Sequence, residues 1–199
     1  MFRQAFRRFT TTASARHAFG EAPVVVDRYS RSLSALHWVM GGSIVGCVAT
    51  VKLAQNTKDK AWKGRLMLVH KSLALIVAGL LPARVAARYF SRTPRPLPGS
   101  RLEHWAANVS HAALYGFMGV LPLTGIVMGY FSGFGLPFFF FPKIPGAKEP
   151  KKALAKTAFQ VHSWVGSVLV YVLPIHVGAA AFHLARGQKI FARINPFVG

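Results

Sequence analysis

The chain carries eight histidines, and all except His17 fall within or at the edges of long apolar runs. An ionisable side chain is costly to keep inside such a run, so each of these is a functional candidate. A neutral imidazole in apolar surroundings is suited to metal ligation through one ring nitrogen while the other donates a hydrogen bond. His37 stands near the start of the first run and His70 near the start of the second. His104 and His111 belong to the third, and His162, His176 and His183 to the fourth.

Depth sorts these residues further. If successive runs alternate in direction, His70 and His162 lie toward one side of the molecule and His37 and His176 toward the other. Fourteen residues separate His162 from His176. At about 100° and 1.5 Å per residue, that spacing leaves the rings within about 40° on one helix face and about 21 Å apart along the axis. The fourth run therefore offers two ligands on one face, with His70 as partner for the first and His37 for the second. Each pair suits a haem clamped between facing helices, a common construction in bundles. Zinc asks for three or four ligands at one depth, which two pairs at two depths do not supply. Were His183 the ligand in place of His176, the metals would stand about 31 Å apart along the helix, poor for electron transfer. His104 and His183 read as interfacial. His111 reads either as a residue at a haem edge or quinone, or as simple packing.

The elements that must position these rings are four spans: roughly Leu33 to Ala54, Leu66 to Val85, Trp105 to Phe131 and Phe159 to Leu184. Each reaches the roughly 20 residues that cross a hydrocarbon core of about 30 Å. They are apolar nearly all round, whereas helices of a soluble bundle keep a polar face. Pro82, Pro122 and Pro174 are tolerated in membrane helices. The expected fold is all-α, an integral membrane four-helix bundle.

The net charge of +20, from 25 Lys and Arg against 5 Asp and Glu, would point to nucleic acid in a soluble chain. Here the cations sit at run ends, where they meet anionic headgroups such as those of cardiolipin, so nucleic acid is excluded as a partner. Four spans place both termini on one side. That side is rich in Arg and the opposite side in Lys, ten cations against ten, so the positive-inside rule does not orient the chain. Lys52 and Lys71 are candidates to pair with haem propionates on the Lys side, and Arg31, Arg84 and Arg88 on the other. Snorkelling to headgroups competes for each. The run Phe138 to Phe141 reads as an interfacial anchor, and lone Cys47 as a buried small hydrophobe.

Residues 1–26 stand apart. Arg3, Arg7, Arg8 and Arg16 lie among Ser, Thr and Ala, Phe2, Phe6, Phe9 and Ala13 recur at helical spacing, and the first acidic residue is Glu21. Arg-rich, acid-poor and amphipathic is the pattern of a mitochondrial targeting segment. The four-span domain then occupies residues 27–199.

The strings RYSRSLSALHWVM, HKSLALIVAGLL, HAALYGFMGVLPLTGIVMG and VHSWVGSVLVYVLPIHVGAAAFHL together resemble the bacterial-type cytochrome b561 family, in order and over nearly the whole chain from about Asp27. The leader and the Phe-rich loop depart from the bacterial pattern. The resemblance implies two b-type haems, ligated by His37 with His176 and by His70 with His162. It also implies termini on the cytoplasmic side in bacteria, which corresponds to the matrix side of the mitochondrial inner membrane. Bis-histidine iron has no open position, which favours one-electron transfer over oxygen activation. The resemblance further implies an oxidoreductase that carries electrons between superoxide or a quinol and a quinone such as ubiquinone. A lysine-rich rim would attract superoxide. The alternatives are a haem-bearing accessory subunit of a respiratory complex without turnover of its own, and a membrane anchor for a soluble dehydrogenase or hydrogenase.

Overall fold

The computed structural model describes residues 27–197; the expected targeting segment lies outside the described residues. Four long helices run in the order α1 (Arg31–Asn56), α2 (Lys60–Phe90), α3 (Arg101–Phe131) and α4 (Lys152–Ala185), followed by the short α5 (Ile190–Arg193). All four are long and apolar enough to cross a membrane. Their outer faces carry large apolar side chains such as Leu123, Tyr171 and Ile175, which lipid rather than water would cover.

Each helix extends past the apolar span expected from the sequence, and at α1, α2 and α3 a polar side chain just outside the span caps the start. Ser30 accepts from the Leu33 N–H at the start of α1. Asp59 accepts from the Ala61 and Trp62 N–H groups, so the basic stretch after the first span is mostly the first turns of α2. At α3, Ser100 and Glu103 form a reciprocal capping box, which satisfies two of the free amides of a helix start. α4 begins seven residues ahead of the expected span, at Lys152.

α1 packs along α2, and α3 along α4, as two antiparallel hairpins; α2 joins them by packing against α3. The buried centre of the α1–α2–α3 side is Met40, Val77 and Met118, with Ile44, Leu80, Leu81 and Tyr115 around it. Gly46 lets α1 and α2 approach, since a Cβ there would fall 2.6 Å from a Leu73 methyl. By contrast, the α4 backbone stays away from α1 and α2. The space left between is where the paired histidines meet.

The loop after α3 is not a plain loop. Leu136–Phe138 (β1) and Phe141–Ile144 (β2) form an antiparallel hairpin. Phe139 at its turn has a φ of 43°, a region non-glycine residues seldom enter. Its N–H donates to Ser72 Oγ at 2.7 Å, and that fully buried hydroxyl in turn donates to the Leu68 carbonyl at 2.9 Å. The hairpin is thereby pinned to α2 two residues from His70, while Phe140 stands out from it, 87% exposed. On the opposite side of the molecule the start of α1 meets the segment around α5: the Tyr29 N–H donates to the Arg193 carbonyl and Trp38 Nε1 to the Ile194 carbonyl.

Ser72→Ala leaves the Phe139 N–H without its acceptor, a loss of about 1–3 kcal/mol. The expected outcome is a lower denaturation midpoint for the purified chain in detergent. An unchanged midpoint would mean that the hairpin does not depend on this bond.

Candidate functional site

The rings of His70 on α2 and His162 on α4 face one another with centroids 6.2 Å apart and planes at 77°. Each is oriented by a helix carbonyl. His70 Nδ1 lies 2.9 Å from the Cys47 carbonyl on α1, and His162 Nδ1 lies 3.0 Å from the Leu121 carbonyl on α3. A carbonyl can only accept, so in both rings Nδ1 carries the proton and the Nε2 lone pair is free. Thr124 Oγ1 stands 3.1 Å from the same His162 nitrogen. The Cys47 thiol donates back to the His70 carbonyl at 3.4 Å, closing a two-way link between α1 and α2. Gly125 leaves room beside His162, whose Cε1 would lie 3.5 Å from a Cβ at that position.

Two adjoining cavities of about 240 and 390 Å³ flank this pair, and Met67, His70, Ala74, Pro122, Met128 and Phe159 border both. Lys52 and His162 line the first; Lys71, Lys156 and the hairpin residues Phe134 and Leu136 line the second. Lys71 and Lys52 therefore both reach the edge of the space that opens at His70.

The second pair repeats the spacing. His37 on α1 and His176 on α4 have ring centroids 6.3 Å apart, with planes at 54°. Among the described residues, neither of these rings has a carbonyl partner. The nearest polar group to His37 Nδ1 is Arg84 Nη2, at 3.5 Å. Arg84 lies nearly two turns inside the end of α2 rather than at its rim, with its guanidinium 5.5 Å from the Tyr115 ring centroid. Its Nε and Nη1 are buried without an acceptor. Asp27, Asp59, Glu103 and Glu149 all stand outside the interior, at caps, first turns and loops. Among the described residues, Arg84 is thus a cation facing imidazoles with no carboxylate beside it.

His111 stands edge-on to His176 at 5.4 Å, so it faces the bundle, although the residue as a whole is exposed where the four paired histidines are half-buried. His183 turns toward its own helix end, where Nδ1 meets Gln188 Oε1 at 2.7 Å. Arg31 and Arg88 are exposed. Among the described residues no three His, Cys, Asp or Glu side chains converge as a metal site.

The rings of each pair stand 6.2 and 6.3 Å apart, and two neutral imidazoles are a donor set that would hold the iron of a b-type haem. Ligation chemistry leads one to expect a backbone carbonyl behind each ring, and His70 and His162 have one; which carbonyl is what the sequence did not indicate. Main-chain carbonyls leave no trace in residue types, and only Thr124, a polar residue two positions after Pro122 in an apolar run, offered a signal.

Residues 28–196 match the family described as prokaryotic cytochrome b561. The chain is also similar to cytochrome b561 homolog 2 of Escherichia coli strain K12, at 25% identity over 159 residues, which cover 79% of this chain and 85% of that protein. The facing imidazoles in a four-span bundle and the match over nearly the whole described chain lead to one conclusion: the protein belongs to the prokaryotic cytochrome b561 family, multi-pass membrane proteins of haem-based electron transfer.

Proposed function

We propose that this chain holds two b-type haems, one between His70 and His162 and one between His37 and His176. In this reading it carries electrons across the mitochondrial inner membrane, with both termini in the matrix. The electron donor is a small molecule, superoxide or a quinol, and the acceptor is a quinone such as ubiquinone. The observation that carries the reading is the repeated ring separation, 6.2 and 6.3 Å, at two places on one face of α4.

When bound between two histidines, haem supplies one-electron exchange with no open coordination position. The residues of the chain provide the rest. The Cys47 and Leu121 carbonyls fix the tautomer and rotation of His70 and His162, which keeps both Nε2 atoms aimed into the gap. The walls of that gap are mostly apolar side chains of the four helices. Arg84 offers two buried N–H groups to the carboxylates of the cofactor. Lys71, Lys156 and Phe159 line one cavity, a cationic and aromatic border suited to a small anion or a quinone ring. Anionic lipids, cardiolipin among them, suit the Arg-rich ends.

A reduced-minus-oxidised spectrum with haem quantitation tests the assignment. Two b haems per chain are expected in the wild type, and one each in His70→Ala and His176→Ala. A haem content indifferent to both substitutions would overturn it. For localisation, residues 1–26 fused ahead of a fluorescent reporter are expected to carry it into mitochondria; a reporter left in the cytosol rejects the mitochondrial assignment.

A further inference from the structure

The hairpin between α3 and α4 reaches well inside the apolar spans. Phe139 at its turn donates its N–H to Ser72 Oγ, and Ser72 follows Arg65, the last cation before the second apolar run, by seven residues. At 1.5 Å per residue that is about 10 Å of helix beyond the Arg65 level. α4 gives a similar depth: His162, which faces His70, follows Lys156 by six residues, about 9 Å. α3 agrees. Leu136 packs at Gly129, where a Cβ would fall 2.7 Å from a Leu136 methyl. Gly129 lies eight residues nearer the helix end than Leu121, the carbonyl partner of His162. Those eight residues span about 12 Å, and the three steps from Leu136 to Phe139, at about 3.3 Å each, cover most of it. The strands therefore run inward beside α2, from the end of α3 to the level of His70.

At that depth acyl chains, not water, surround whatever points away from the bundle. The hairpin meets this demand in its side chains. No Asp, Glu, Lys or Arg falls between Glu103 and Lys143, so the turn and most of both strands are uncharged. Phe140 and Phe134 are both largely exposed, apolar surface that lipid accepts and water does not. Backbone donors are the harder demand, because hydrocarbon satisfies none of them. Phe138 and Phe141 face each other across the two-residue turn, so the next residue on each strand turns its main chain to the sheet edge. Those residues are Pro137 and Pro142, which have no N–H to leave unpaired. The Phe139 N–H has Ser72, and the Gly135 N–H has the Gly129 carbonyl at 2.9 Å. Lys71, beside Ser72, lines the cavity at His70, the inward direction that a cation within a span takes.

We infer that the hairpin is a re-entrant membrane element: Phe140 and Phe141 lie among lipid acyl chains level with His70, and Lys143 marks the return toward the headgroups. This seat is deeper than the interfacial anchor that the sequence alone indicates for Phe138 to Phe141. Of those four rings, Phe140 and Phe141 meet lipid, while Phe138 and Phe139 are half-buried against the protein. Phe134, Gly135 and Leu136 line the cavity at His70, so the hairpin is also the wall between that cavity and the acyl chains. The seat follows from the four spans and is independent of the haem assignment.

Depth-resolved fluorescence quenching of the full chain in phosphatidylcholine vesicles tests this. Phe140→Cys and Phe141→Cys are labelled separately with a small fluorophore, and the unsubstituted chain, whose sole cysteine is Cys47, gives the background. Trp164→Cys, at an exposed position on α4 two residues past His162, is the acyl-chain reference, and Lys148→Cys the aqueous one. Labels at 140 and 141 should be quenched by a nitroxide at mid-chain as strongly as the label at 164. Aqueous iodide should quench them several-fold less than the label at 148. Preferential quenching by iodide places the hairpin in water, and preferential quenching by a headgroup nitroxide places it at the interface; either result overturns the inference. Protection from all three quenchers means that protein, such as a second copy of this chain, covers the turn, and overturns it too. A readout without substitution guards against a variant that fails to fold: an acyl-chain diazirine lipid, activated beside the unsubstituted chain, should crosslink to the peptide holding Phe140 and Phe141. Crosslinks confined to the four helices would sink the re-entrant seat.

Discussion

The structure depends on keeping imidazoles apart at a fixed distance inside an apolar bundle. α4 touches α3 along its length but stays clear of α1 and α2, and two pairs of facing rings stand in the space between. A bundle that filled this space with leucine would pack more tightly and have nothing to ligate with. The fold accepts a poorly packed seam there and places its close packing elsewhere, at Gly46 against Leu73 and around Met40, Val77 and Met118.

Polar groups in such an environment need internal partners, because lipid offers none. Ser43, Thr50, Ser72, Thr124 and Ser167 each donate to a carbonyl one turn back on their own helix. Two of these hydroxyls take on a second task. Ser72 also receives the Phe139 N–H, and Thr124 also stands against the His162 ring. The same economy links Cys47 and His70, each supplying a carbonyl to the other's side chain. The support for the histidines is thus built from groups the helices already had to satisfy.

The two ends of the bundle are finished differently. At one end, the segment before α1, the α2–α3 connection and the segment around α5 are tied by backbone and side-chain bonds: Arg95 N–H to Asp27, Arg193 to the Asp27 carbonyl, and Ser30 to Ser91. An exposed ion pair, Glu103 with Arg186 at 2.9 Å, adds little energy by itself but joins α3 to α4. On the other side the hairpin is the main feature. Gly135, at φ +74°, and Gly146 allow its strands to close on the α3 end, since a Cβ at either would collide with backbone across the turn.

The sequence by itself determined the four spans, their membrane character and the sorting of His37, His70, His162 and His176 into two depths. Those features follow from run length and from the helical repeat, both of which residue order fixes. It did not reveal the hairpin, because Pro137, Pro142 and four consecutive phenylalanines obscure any alternation between two faces. It placed Arg84 with the rim arginines, since distance from a span end cannot show whether a guanidinium turns outward or inward. Tertiary structure alone decided which carbonyls His70 and His162 meet: Cys47 and Leu121 are named for their side chains, but it is their backbone oxygens that orient the rings, and only the packing of α1 on α2 and α3 on α4 brings those oxygens into reach.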